Sequence, residues 1–183
     1  GREYALMGLE TGLAVVEISA PSSPVIVEHV PGPISLWRDV KVYQQYAYVV
    51  SEGGDGIQVV DLGQVDAGVV KLVNTVTFGG DTTTTHNVVI DEVSGYLYRA
   101  GGGENGLRIY SLANPVAPQF VSSWPTRYVH DAQAVTYTEG PWAGREIVFA
   151  AGGFNSGYTE TGVDILDVTD KQNIVQLSRF FYP

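Results

Sequence analysis

The sequence contains a short glycine-led segment, Gly56-Ile57-Gln58-Val59-Val60-Asp61-Leu62, that recurs in similar form at four places. Each copy is a glycine followed by alternating apolar residues, a polar residue and a last aliphatic residue. Alternation with a period of two is typical of β-strands, because successive side chains point to opposite faces of a sheet. The glycines are 44, 50 and 56 residues apart, which suits the roughly 40–50 residues of a four-stranded propeller blade. The other copies are Gly12–Ile18, Gly106–Leu112 and Gly162–Val168.

Further strand-like segments flank every copy, so the chain is predicted to be all-β. One strand precedes each glycine and another follows a turn, and three copies also have an earlier strand at Asp39–Val42, Asn87–Ile90 and Ala132–Val135. We therefore predict one β-propeller segment, residues 1–183, with about four antiparallel blades. The first blade lacks its innermost strand and the chain stops where a fifth blade would begin, so we expect a fragment of a larger propeller. The predicted blades cover residues 1–36, 37–84, 85–128 and 129–183.

The composition excludes several classes of function. The net charge is −10, which repels a phosphate backbone and makes nucleic acid an unsuitable partner. The chain has no cysteine, which excludes disulfides, thiolate metal sites and cysteine nucleophiles. No apolar stretch is long enough to span a bilayer, and the N-terminal residues do not resemble a signal peptide. The acidic surface is instead suited to cations, including Ca²⁺.

The entries to the three earlier strands carry similar polar pairs at the repeat spacing. Arg38-Asp39, His86-Asn87 and His130-Asp131 are offset by 48 and 44 residues. Because innermost strands converge on the propeller axis, we expect these side chains to approach one another. They then form either a divalent-metal site made of His86, His130, Asp131 and Asp39, or a structural lock. The lock, in which the side chain bonds backbone groups of the next blade, is favoured, and Asp39 suits it well.

The loops between the second and third strands place carboxylates beside glycines. Glu52, Asp55 and Glu104 lie in such loops, on the face where the innermost strands begin. Together with Arg38, Asp39 and Asn87 they are the predicted ligand-binding residues, and oxygen ligands of this kind suit Ca²⁺. Ordinary solvated turns are the favoured alternative, since no EF-hand pattern is present. No catalytic residue is predicted, because the chain has neither a G-x-S-x-G motif nor a phosphate-binding loop.

Further recognisable segments are Ser35–Val42, His86–Tyr96, His130–Val135 and Gly144–Ile147. They resemble the choice-of-anchor B family of bacterial extracellular proteins, and the Val60-Asp61 and Leu166–Val168 strands are similar to the LVIVD repeat of that family. The resemblance implies a secreted or cell-surface propeller without an established enzyme activity. The chain departs from the family in lacking the portion expected before Gly1 and any anchor after Pro183.

Two functions follow as hypotheses. The first is a non-catalytic extracellular binding or assembly module whose loop face or open sheet edge engages a protein, a glycan or another copy of the chain. The second is a metal-dependent enzyme with a site at the mouth of the central channel. The sequence identifies no cofactor beyond a divalent metal, which would be calcium at the acidic loops or a transition metal at the histidines. On balance, the missing catalytic motif favours the binding module.

Overall fold

The structure is a computed structural model that describes residues 1–77, 83–103, 105–153 and 161–182. Within these residues the strands form four antiparallel sheets, one of three strands and three of four. This confirms the predicted all-β propeller architecture, with no innermost strand in the first sheet. Blade 1 consists of β1 (Tyr4–Leu9), β2 (Gly12–Glu17) and β3 (Val25–Pro31), and blade 2 of β4 (Arg38–Tyr43), β5 (Tyr46–Ser51), β6 (Ile57–Gln64) and β7 (Val69–Val76). Blade 3 consists of β8 (Asn87–Asp91), β9 (Tyr96–Ala100), β10 (Leu107–Ser111) and β11 (Gln119–Trp124), and blade 4 of β12 (Asp131–Thr136), β13 (Glu146–Gly152), β14 (Gly162–Asp167) and β15 (Val175–Phe181).

Gly56, Gly106 and Gly162 occupy the start of the third strand of a four-stranded blade or the residue before it, and Gly12 begins the equivalent strand β2 of blade 1. At each one, a backbone carbonyl of the outermost strand lies where a Cβ atom would be. The distance from that Cβ position to the carbonyl oxygen is 2.1 Å at Gly12, 2.2 Å at Gly56, 1.6 Å at Gly106 and 2.5 Å at Gly162. Any larger residue would push the outermost strand away, and this close approach explains why the repeat begins with glycine.

The hydrophobic core lies between the blades. Three apolar clusters fill the spaces between successive sheets, and each draws side chains from two blades. The cluster between blades 1 and 2 contains Leu13 of blade 1 and Val49 of blade 2. The cluster between blades 2 and 3 contains Tyr48 of blade 2 and Leu97 of blade 3. Ile109 and Leu166 share the cluster between blades 3 and 4. Since each strand contributes alternate residues to the two faces of its sheet, one blade supplies both clusters beside it.

A buried ion pair reinforces the contact between blades 3 and 4. Lys171 Nζ lies 2.7 Å from Glu146 Oε2, and both side chains are almost fully buried. The other Glu146 oxygen accepts a hydrogen bond from the Tyr98 hydroxyl of blade 3. The Lys171 ammonium also lies 4.0 Å from the centre of the Tyr96 ring, a cation–π contact across the same boundary.

Helical structure in the described part of the chain is limited to two three-residue 3₁₀ turns, Val65–Ala67 and Gly140–Trp142. Among these residues, no helix has the length and apolar character that crossing a bilayer would require.

Candidate functional site

The loops that enter the innermost strands share one face with the loops between the second and third strands. In the antiparallel pairing of each blade, the first residue of the innermost strand is opposite the end of the second strand. Arg38 pairs with Ser51, and Asn87 with Ala100. The innermost strands β4, β8 and β12 are themselves neighbours. We call the described loop residues of this surface, 32–37, 52–55, 83–86, 101–103 and 125–130, the mouth face.

Three successive blades each contribute one side chain to a cluster on the mouth face. Glu52 of blade 2 lies with Oε1 2.7 Å from Nδ1 of His86, at the entry to blade 3. The His86 ring lies 4.2 Å, centre to centre, from the ring of His130 at the entry to blade 4, with the planes inclined by 52°. The side chain of His86 is largely buried, whereas His130 is exposed. We call Glu52, His86 and His130 the mouth cluster.

Glycines of the adjoining loops set the position of both histidines. A Cβ atom on Gly101 would lie 2.6 Å from Cβ of His86, and one on Gly153 would lie 2.9 Å from Cβ of His130. The base of each histidine side chain therefore lies directly against glycine backbone, in equivalent places of blades 3 and 4. The glycines at positions 101 and 153 are thus explained by close approach to a histidine side chain, whereas Gly102 lies against the backbone of Thr84.

Buried polar side chains support the mouth cluster from below. Tyr128 is 6% exposed, and its pKa is raised by burial and by the negative charge of Glu52. The buried Arg108 guanidinium donates a 2.7 Å hydrogen bond to the Gly101 carbonyl, which fixes the loop under His86. Tyr128 and Arg108 therefore form a buried polar layer beneath the mouth cluster.

Asp39 bonds to backbone amides of its own blade and the next. Its Oδ1 accepts a 2.8 Å hydrogen bond from the Val40 amide, and its Oδ2 accepts a 3.0 Å bond from the Val88 amide of blade 3. Lys41 Nζ lies 3.0 Å from both carboxylate oxygens. The carboxylate therefore links blade 2 to blade 3, which is the structural role expected of it.

The equivalent residues of blades 3 and 4 are Asn87 and Asp131. Asn87 Nδ2 donates a 3.2 Å hydrogen bond to the His130 carbonyl and so links blade 3 to blade 4. Asp131 is exposed, and its Oδ1 accepts a 2.8 Å bond from the amide of Ala132 in its own strand. The Asn87 bond therefore joins two blades, whereas the Asp131 bond stabilises the start of its own strand.

The remaining predicted residues have different surroundings. Arg38 Nε donates a 3.0 Å hydrogen bond to the Leu9 carbonyl of blade 1, and burial lowers the pKa of Arg38 although the charge of Asp55 opposes this. Asp55 is exposed, with a positive φ of 68°. Glu104 lies outside the described residues. Within the described ranges, no group of three or more His, Asp or Glu residues is arranged to hold a metal ion.

The sequence patterns did not single out the most exposed part of the mouth face. In the loop that enters β4, Ile34 is 74% exposed, Leu36 83% and Trp37 56%. The Trp37 ring lies 5.6 Å from the ring of His86, which makes the apolar residues continuous with the mouth cluster. The signal available in the sequence was the apolar pair Leu36-Trp37 inside a loop, where polar residues are the norm.

Hydrogen bonds hold this loop in place. The Ser35 amide donates to the Glu10 carbonyl at 3.0 Å, and the Glu52 amide donates to the Trp37 carbonyl at 3.2 Å. Gly53 lies beneath the loop, because a Cβ there would be 2.6 Å from the Ile34 carbonyl oxygen. We call Ile34, Leu36 and Trp37 the apolar patch.

Comparison with known families agrees with the fold. Residues 3–31 and 37–63 match the LVIVD repeat, a β-propeller-type repeat. The first match covers the strands of blade 1, and the second covers the three inner strands of blade 2. A comparison with curated proteins found no match.

Two solved structures have a similar fold over nearly the whole chain. Hydrazine synthase from Kuenenia stuttgartiensis superimposes with a TM-score of 0.59 and 14% identity, over 92% of this chain and 43% of that one. A structure of the nidogen/laminin complex superimposes with a TM-score of 0.57 and 10% identity, over 98% of this chain and 62% of that one. The chain thus spans less than two thirds of either protein. At such identities the likeness establishes the propeller fold alone.

Proposed function

We propose that the chain is a non-catalytic binding module that holds a protein partner on its mouth face. The observation that carries this proposal is the apolar patch, in which three large apolar side chains of one short loop are between 56% and 83% exposed. Scattered exposed apolar residues are normal on proteins, but several in one loop indicate an interaction surface. Tryptophan in particular is enriched among the residues that dominate interface energies.

The loop that carries the patch is already ordered for binding. The Ser35–Glu10 and Glu52–Trp37 backbone hydrogen bonds fix it from two sides. The Ser35 hydroxyl adds a 2.9 Å bond to the Trp37 carbonyl. A surface that is rigid before association loses little conformational entropy on binding, so more of the contact energy contributes to affinity.

The chemistry of the patch favours a protein over a glycan or a second copy. Ile34 and Leu36 are aliphatic, and such side chains match apolar protein surface better than hydroxyl-covered sugars. Exposed acidic residues lie in or next to the loops of this face, at Glu10, Asp55 and Asp131, and the net charge of −10 opposes self-association. The partner is therefore a protein that presents an apolar spot surrounded by basic residues.

The side chains at the strand entries have a different task in this proposal. Arg38, Asp39 and Asn87 use their polar atoms on backbone groups of the neighbouring blades. We assign them to holding the mouth face together, and Glu52 and Asp55 to the acidic rim that the partner meets.

The site of action is outside the cell, at the surface or in secreted form. This part of the proposal rests on the resemblance to the choice-of-anchor B family, and the LVIVD repeats at residues 3–31 and 37–63 are in keeping with it. Labelling of intact source cells with a membrane-impermeant biotin reagent tests it. The protein is expected among the labelled species, and exclusive recovery inside unlabelled cells would refute the location.

Affinity capture with matched variants tests the binding function. The wild-type protein, the double variant Leu36→Ser/Trp37→Ala and the control Val93→Ser are immobilised and exposed to surface proteins of the source cells. Val93 is 66% exposed and lies in the β8–β9 loop, on the opposite face. A protein retained by the wild type and the control, but lost with the double variant, is then purified for direct measurement.

The direct measurement is the affinity of the purified pair at two salt concentrations. The double substitution is expected to weaken binding by roughly 30-fold or more, since interface anchors contribute about 2 kcal/mol or more. Added salt should slow association if the partner is basic. Equal binding by all three forms would refute the proposal. Patch-dependent binding of an oligosaccharide, or patch-dependent dimerisation, would instead identify a glycan or a second copy as the occupant.

A further inference from the structure

We propose that His86 and His130 bind a divalent transition-metal ion, and that Glu52 is a positioning residue that orients His86 toward it. This inference concerns the mouth cluster alone and does not depend on the apolar patch binding a protein. It rests on the geometry of three side chains from three successive blades.

The contact with Glu52 determines which nitrogen of His86 carries a proton. A carboxylate accepts hydrogen bonds, so the 2.7 Å contact with Glu52 Oε1 requires Nδ1 of His86 to be the donor. In the neutral ring Nε2 then carries the lone pair. Metal-binding histidines characteristically donate their second ring N–H to a carboxylate in this manner, which fixes the tautomer and makes the ligating nitrogen more basic.

His130 lies beside His86. Its ring centre is 4.2 Å from that of His86 and the ring planes are inclined by 52°. A metal ion bound by two imidazoles lies about 2.0–2.1 Å from each nitrogen. Binding one ion therefore requires the exposed His130 side chain to rotate away from His86 until one nitrogen of each ring faces the same point.

Glycines pack against the base of both histidine side chains. Gly101 lies against Cβ of His86 and Gly153 against Cβ of His130, at distances that leave no space for another side chain. The two histidines are therefore held in adjacent positions before a metal binds. A bound cation is also favoured by the acidic character of the chain.

The composition of the cluster indicates the class of metal. Imidazole nitrogen suits Cu²⁺, Ni²⁺ and Zn²⁺, whereas Ca²⁺ and Mg²⁺ prefer oxygen ligands. In the described part of the chain no third His, Asp or Glu completes a coordination shell, so the remaining positions belong to water. The site is therefore open to solvent, unlike a closed structural zinc site. Affinity should follow the usual order for such ligands, with Cu²⁺ bound most tightly.

Metal titration of the purified protein tests the inference. Cu²⁺, Ni²⁺, Zn²⁺ and Ca²⁺ are titrated separately by calorimetry, and Cu²⁺ also by quenching of tryptophan fluorescence. Trp37 is a built-in reporter, because its ring lies 5.6 Å from that of His86. We expect saturable binding of one Cu²⁺, Ni²⁺ or Zn²⁺ per chain, no response to Ca²⁺, and weaker binding at acidic pH because protons compete for the imidazoles.

Variants of the histidines locate the site. His86→Ala and His130→Ala are each expected to abolish saturable binding, while His29→Ala is expected to retain it. His29 is the third histidine of the chain and lies on the outermost strand of blade 1, 3.1 Å from the Thr11 hydroxyl. His130 is exposed, so its removal preserves the fold even if that of His86 does not. Unchanged binding by His130→Ala would overturn the proposal, and so would absence of binding by the wild type.

A pair of carboxylate variants separates orientation from charge. Glu52→Gln is expected to weaken metal binding about 10- to 100-fold, the usual effect of losing such a carboxylate partner. Glu10→Gln removes the same charge from an exposed residue of the β1–β2 loop, next to the mouth-face residue Ser35, and should have little effect. Equal losses in the two variants would show that Glu52 acts only through its charge, and would refute its positioning role.

Discussion

The contact of Asp39 with the next blade leads to a quantitative prediction. Asp39→Ala removes the acceptor of the 3.0 Å hydrogen bond from the Val88 amide. Val88 is fully buried, so water cannot easily replace the lost partner. A buried donor without an acceptor costs about 1–3 kcal/mol. We expect the free energy of unfolding to fall by that amount, with a smaller loss for Asp39→Asn, which keeps one acceptor oxygen.

Lys41→Ala is the matched control for this substitution. Lys41 lies 3.0 Å from both Asp39 oxygens, but its side chain is 47% exposed, and such exposed ion pairs contribute about 0–1 kcal/mol. Guanidinium denaturation followed by tryptophan fluorescence gives both values from the midpoints and slopes. If Lys41→Ala destabilised the protein as much as Asp39→Ala, the ion pair rather than the link between blades would be the important contact.

Three further predictions concern buried charge, acid stability and the patch loop. Lys171→Met should lower the free energy of unfolding by about 3–5 kcal/mol, because Glu146 would remain buried without its partner; thermal denaturation measures this. Burial alone raises the pKa of Asp167, but hydrogen bonds from Thr169 and Arg145 outweigh it and lower that pKa. The resulting stability is present above about pH 4 and lost as the pH falls further, so Asp167→Asn should flatten the dependence of unfolding free energy on pH in acid. Gly53→Ala should displace the patch loop, since the new Cβ would lie 2.6 Å from a backbone oxygen; we expect a loss of about 1–3 kcal/mol and altered Trp37 fluorescence.

The fold was predictable because its strongest constraint is repeated in the sequence. At Gly12, Gly56, Gly106 and Gly162 the same physical conflict, a carbonyl in the place of a Cβ atom, excludes every other residue. The alternating apolar residues after each glycine follow from packing each sheet between two neighbours. Strand ends were less predictable: β3 and β15 continue to Pro31 and Phe181, beyond the apolar cores by which their sequences are recognised.

The approach of the site residues to one another was predictable only where it follows the repeat. His86 and His130 occupy equivalent entries to blades 3 and 4, so the sequence offset indicated that they would be near one another. Asp39 and Asn87 occupy the next register position and bond backbone groups of the following blade. Glu52 and the apolar patch lie in loops of unequal length, where no register applies. Whether the Glu52 carboxylate meets His86 or water depends on the path of the loop. That path is determined by contacts such as Gly53 beneath Ile34, which involve residues far apart in the repeat.

Hydrogen–deuterium exchange of the protein with and without its captured partner tests whether the mouth face is the binding surface. We expect slower exchange in the complex across the mouth-face loops, above all at residues 32–37, and unchanged exchange on the opposite face. Protection confined to the opposite loops, at residues 18–24, 92–95, 112–118 and 137–145, would contradict this expectation.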